Sequence, residues 1–137
     1  MRVIQTISTL SRDSSFRKTV LSSYNNTCAV SATQLQLVDA AHILPVGAKG
    51  SSARVQNGVC LAPTYHRAYD LGIIYIDDRY VVKANDRKLD QLRVLNLNGG
   101  EAKFVSSLGR LSLPRLQADW PSVDLIRQAN AFRGIAV

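Results

Sequence analysis

The sequence predicts an α+β domain, and three observations point to it. A strand, loop and helix follow one another from Val38 to Gly72, helical periodicity marks both ends of the chain, and a second strand pair follows the central unit. With 137 residues, 46% of them hydrophobic and 20% charged, the chain has enough apolar surface for one core and too little length for two ordinary domains. A single domain over residues 1–137 is therefore expected.

Val3, Ile4, Ile7 and Leu10 recur at helical spacing, and the run Ser11 to Ser15 offers a cap before Phe16, Val20, Leu21 and Tyr24. Two helical segments are expected to open the chain, the second stopped by Asn25-Asn26. Cys28 to Val30 is short and apolar, and Ser31-Ala32-Thr33 has turn composition and leads into Leu35, Leu37, Val38 and onward to Ile43, so these predict a hairpin whose second strand ends near His42. The segment from Pro45 to Gly58 is glycine- and serine-containing and with little period, which predicts a long loop, of a length that is usually functional or mobile. Pro63 suits a first helical turn and Leu71-Gly72 a helix stop, giving two turns of helix through His66 and Asp70. Ile73 to Ile76 and Tyr80 to Lys83 flank Asp77-Asp78-Arg79 as a second hairpin. Asn96 to Gly100 predicts a turn, and Ser122 caps a closing helix that runs to Gly134.

Seventeen Lys and Arg against ten Asp and Glu leave a net charge of +7, a balance that favours polyanions, nucleic acid first and an anionic membrane surface second. No apolar stretch approaches the ~20 residues that span a bilayer, and Gln5, Thr6, Ser8 and Thr9 interrupt any secretory signal. A cytoplasmic protein without a membrane partner is expected. Cys28 and Cys60 are the only cysteines and His42 and His66 the only histidines. A disulfide scaffold needs more cysteine than that, and a four-ligand zinc site brings its ligands in close pairs that this chain lacks. Both cysteines are expected to behave as small buried hydrophobes.

The chemistry concentrates between Val38 and Gly72. His66 and Asp70 stand four residues apart and share one helix face, where an imidazole and a carboxylate can grip one cation. His42, at the end of the preceding strand, is placed to face that cation. An imidazole titrating near neutrality suits removal of a proton from water, while a divalent ion stabilises charge on a phosphate oxygen and the leaving 3′ oxygen. Lys49, Arg54, Arg67 and Arg79 lie in or beside this unit, where phosphates can be contacted.

This constellation resembles the HNH, or ββα-metal, nuclease family. The resemblance rests on His42 in DAAHILP, Asn57 in NGVCLAP and His66 in YHRAYDLG, with nine positions from Asn57 to His66. The H-x-x-x-D pattern of His66 and Asp70, followed by Gly72 and the apolar Ile73 to Ile76, is similar to a restriction-type subgroup, as is the lead-in FRKTVLSSYNNTCAVS. The resemblance covers about Phe16 to Val82, with the motif core near 28–72.

It implies a ββα-metal motif embedded between N- and C-terminal helices, with an additional β-hairpin. His42 would be the general base and His66 with Asp70 would hold Mg2+, Mn2+ or another divalent cation. Asn57 would brace the loop that orients His42. Ala41 stands where many members carry an acidic or second histidine ligand, and Asp39, on the same side of the strand, is the candidate to replace it. The implied activity is metal-dependent endonuclease hydrolysis of DNA phosphodiester bonds, as the nuclease module of a restriction-type enzyme whose specificity domain is absent or removed. Nothing in the motif reads or rejects a 2′-hydroxyl, so RNA also fits. Cutting both strands with one site per chain would take a homodimer. Ala41 favours the rival reading of a non-catalytic nucleic-acid-binding module of the same fold; a small zinc-structured adaptor is the third.

Overall fold

The computed structural model describes residues 14–136. The first expected helical segment, carried by Val3, Ile4, Ile7 and Leu10, and the first residues of its following cap lie outside these.

Helix α1 covers residues 14–23 and buries Phe16, Val20, Leu21 and Tyr24, a spacing of four, five and eight that forms one face. It lies against a two-stranded antiparallel sheet of β1 (Asp39–His42) and β2 (Gly58–Leu61), in a register that sets His42 opposite Gly58 and Asp39 opposite Leu61. All four residues of β2 are buried, as in a strand covered on both faces.

Helix α2 (Pro63–Asp70) begins with Pro63 in its first turn and is ended by Leu71 and by Gly72 at φ +74°. A left-handed residue there is what glycine permits without strain. The second antiparallel sheet pairs β3 (Ile74–Ile76) with β4 (Val82–Ala84), as the sequence predicts. α5 (Val123–Phe132) starts on a cap in which the Leu125 N–H donates to the Ser122 hydroxyl at 3.3 Å. It buries Leu125, Ile126 and Ala129, and the Asn130 amide donates to the Ile76 carbonyl at 2.8 Å, tying α5 to β3. Tyr69, Ile43, Leu44, Leu61, Ile74 and Ile126 are the large side chains at the centre of the core.

The architecture is the expected α+β arrangement, two small hairpins with helices around them. The expected hairpin of Cys28–Val30 with Leu35–Ile43 does not form. Ala32, Leu35 and Gln36 adopt φ of +61°, +54° and +58°, so the chain curls between the two apolar runs; Leu35 and Leu37 are exposed. Cys28 closes that curl, its N–H donating to the Thr33 carbonyl at 2.8 Å, while the Ala29 N–H donates to Cys60 O. The partner of β1 is β2, across the long connection. Two helices also stand where only a turn is expected: α3 (Asp86–Val94) and α4 (Glu101–Ser106), either side of residues 96–100. Cys28 and Cys60 are both buried and unbridged. No helix among the described residues is long and apolar enough to cross a membrane.

Candidate active site

The connection from β1 to β2, residues 43–57, leaves the sheet at His42 and returns at Gly58, and one side chain fastens it. Asn57 is fully buried. Its Oδ1 accepts the Leu44 N–H at 2.8 Å, and its Nδ2 donates to Leu44 O at 3.1 Å and to Ser52 O at 2.8 Å. The Ser51 hydroxyl donates to Leu44 O at 3.0 Å. An amide is the one small side chain that can satisfy an N–H and two carbonyls together. Asn57 thus grips the chain two residues beyond His42, from a position closed to solvent.

Gly58, the next residue, is needed for a different reason. A Cβ there would collide with Val20 Cγ2 and come within 3.0 Å of the Phe16 ring. The missing side chain lets α1 approach β2 directly opposite His42. Phe16 uses that approach to stack on the His42 imidazole, with ring centroids 4.0 Å apart and planes at 9°. Tyr69 closes the floor: it is buried and its hydroxyl donates to Ile43 O at 2.7 Å, fixing the residue after His42 to α2. Burial pushes the Tyr69 hydroxyl pKa up, so it remains a donor.

His66 is held from both sides. Its Nδ1 lies 2.9 Å from Asp39 Oδ2 and its Nε2 3.3 Å from Asp70 Oδ2. The side chains are 28% (His66), 42% (Asp39) and 56% (Asp70) exposed, open enough for solvent or a ligand to reach the carboxylates. His42, His66 and Asp70 line one cleft of about 410 Å³ together with Pro45, Val46, Phe132 and Arg133. The i, i+4 spacing on α2 therefore places His66 and Asp70 in a shared cleft with the strand-end histidine.

The donor set fits a divalent cation with two protein ligands and open positions. Imidazole and carboxylate suit ions such as Mg2+ and Mn2+ when water or phosphate completes the shell. Among the described residues no three His, Cys, Asp or Glu side chains converge on one metal-binding point. The reason is geometric: Asp39 and Asp70 occupy opposite nitrogens of one ring, and a single nitrogen cannot serve both.

The cationic candidates are dispersed. Lys49 and Arg54 are exposed on the long connection. Arg67 lies one position round α2 from His66 and lines an apolar groove with Leu71, Leu92, Leu97 and Phe104. Arg79 is exposed in the β3–β4 turn. The cation that lines the cleft is Arg133, which lies far along the chain from His42 and outside any motif, and which sequence reasoning missed. Phe16 is legible in the sequence as a helix residue at the start of the lead-in, but not as the ring that stacks on His42.

Residues 28–77 match the model of the HNH endonuclease family, a span that contains Asp39, His42, Asn57, His66 and Asp70. No curated protein matches the chain. Among solved structures, a modification-dependent TagI restriction endonuclease is similar over 86% of this chain, at 23% identity and a TM-score of 0.60. This chain spans 37% of that protein's length. At that identity the likeness is one of fold.

Proposed function

We propose that this protein is a metal-dependent endonuclease that hydrolyses DNA phosphodiester bonds, acting as a restriction-type nuclease module. The observation that carries the reading is the cleft shared by His42, His66 and Asp70, within a segment that matches the HNH endonuclease family model. The name of the structural neighbour, a restriction endonuclease, supports DNA as substrate and restriction as the setting.

In this reading His42, its plane set by Phe16 and its backbone held through Asn57 and Tyr69, takes a proton from water. The water oxygen then bonds to phosphorus as the bond to the 3′ oxygen breaks. His66 and Asp70 would hold the divalent cation, which when bound stabilises charge on the phosphate and leaving oxygens. Asp39, on the other ring nitrogen, orients the His66 imidazole, the usual service of a carboxylate beside a ligating histidine. Asn57 acts as a brace, since its buried amide is out of reach of a substrate.

Supercoiled plasmid tests the reading. Nicking is expected with Mg2+ or Mn2+, and not with EDTA, and His42→Ala should lower the rate at least about 100-fold with unchanged melting. An alanine variant cutting within threefold of the parent would remove His42 as base. DNA binding without nicking under either ion would replace the proposal with the non-catalytic module.

A further inference from the structure

Arg133 caps the C-terminus of α5 and is half-buried in the wall of the cleft. Its guanidinium carbon lies 3.9 Å from the centroid of the Tyr69 ring, the same tyrosine whose hydroxyl is fixed to Ile43 O. Its Nη1 reaches Ile43 O at 3.5 Å, the outer limit of a hydrogen bond. Arg133 also hydrogen-bonds the Tyr69 hydroxyl. A guanidinium carries five N–H donors in a rigid fork, so these contacts leave part of its capacity uncommitted.

Two of the other described arginines are committed to carboxylates, and the rest, like Arg133, form no ion pair; Arg133 is set apart by its place in the wall of the cleft. Arg93 pairs with Asp90 and Glu101, and Arg127 with Asp78. Among the described residues Arg133 forms no ion pair. It is therefore a cation held by a flat aromatic surface and a backbone carbonyl, in the same cleft as Asp70 and His66. A phosphate entering that cleft meets the Asp70 carboxylate and needs a compensating positive charge. A fork that presents two parallel N–H groups is the side chain best shaped for it.

We propose that Arg133 binds a backbone phosphate of the substrate strand in the cleft beside His42. The proposal rests on the nucleic-acid reading above. The competing role is structural, since a cation at a helix C-terminus and over an aromatic ring is favourable without any ligand.

The test is titration of a short fluorescent DNA duplex, in EDTA so that nothing is cut, at four salt concentrations. The proteins are the parent chain, Arg133→Gln and Arg133→Lys, each also melted thermally. The expected result is that Arg133→Gln binds about tenfold more weakly and loses about 0.9 from the slope of log affinity against log salt, one phosphate contact. Arg133→Lys should restore the slope and only part of the affinity, because an ammonium keeps the charge and loses the fork. An unchanged slope in Arg133→Gln overturns the assignment. So does an equal loss in both variants that follows a fall in melting temperature, which would mark a structural role. Absence of salt-dependent binding by the parent would instead strike the nucleic-acid reading itself.

Discussion

The two hairpins differ in how their connections are held. Between β1 and β2 runs a long segment fastened by the neutral Asn57, whose amide both donates and accepts. Between β3 and β4 runs a short turn fastened by Asp77, 5% exposed, whose Oδ1 accepts the N–H groups of Arg79 and Val81 at 2.9 Å each. Its Oδ2 pairs with Lys83 at 3.1 Å. This turn offers the Asp77 carboxylate two N–H groups, so an acceptor suffices. A long connection that must be held at an N–H and at carbonyls needs both functions in one side chain. The neutral brace has a second merit: it adds no buried anion beside the cleft proposed above to receive phosphate.

Exchanging the two chemistries should have the largest effect. Asn57→Asp retains an acceptor for Leu44 N–H and turns acceptor lone pairs toward Leu44 O and Ser52 O, leaving a buried charge unpaired. A loss of about 3 kcal/mol or more is expected in denaturant unfolding, together with loss of plasmid nicking. A variant as stable as the parent would end the brace.

Gly58→Ala tests the packing that the long connection serves. The new methyl meets Val20 and Phe16, so a destabilisation of about 1–3 kcal/mol is expected. Nicking should slow beyond the unfolded fraction, as Phe16 is displaced from His42. Full activity per folded molecule would show that the stacked ring is dispensable.

Asp77 makes the short connection sensitive to acid. Burial alone would raise its pKa; the Val81 and Arg79 N–H groups and Lys83 outweigh that and hold the carboxyl below its ordinary value of 3.8. A folded pKa below the unfolded one stabilises the protein above the unfolded value, and this share is lost as pH falls through the folded one. Asp77→Asn should cost about 1–2 kcal/mol at pH 7 and flatten the decline of melting temperature below about pH 4. An undiminished decline would assign acid lability to other carboxylates.

The smallest effect is electrostatic. Neutralising Lys49 and Arg54 together, both exposed on the long connection, should leave melting unchanged. If that segment lies along DNA, the salt slope falls by about one to two units. An unchanged slope would confine the connection to shaping the cleft around Asn57.

What the sequence made legible were features with local punctuation: Pro63 and Gly72 bounding α2, Ser122 opening α5, and Asp77-Asp78-Arg79 between two apolar runs. The spacing of His66 and Asp70 was legible too, because helical geometry alone puts them on one face. The curl at Ala32, Leu35 and Gln36 was not, since residues other than glycine gave no sign of adopting positive φ. α3 and α4 were hidden by polar composition; each buries little, and Val94 at the end of α3 and Leu95 and Leu97 after it remain exposed. The surroundings of His42 were beyond local reading. Asn57-Gly58 looks like an ordinary turn dipeptide; the family resemblance alone implies a brace at Asn57, and packing reveals how it grips Leu44 and Ser52 and that Gly58 is clearance for Phe16.

That clearance bears on how portable the motif is. The segment that matches the HNH family model runs from residue 28 to residue 77, yet the ring behind His42 comes from Phe16 and the cation in its cleft from Arg133. Grafted into another scaffold, residues 28–77 would bring the histidines, Asp39 and Asp70 and leave behind the surface that aims one and the charge that faces the other. The inheritable unit of this cleft is thus larger than its signature, and chimeras joined at Cys28 or Asp77 should be judged by whether the host supplies both.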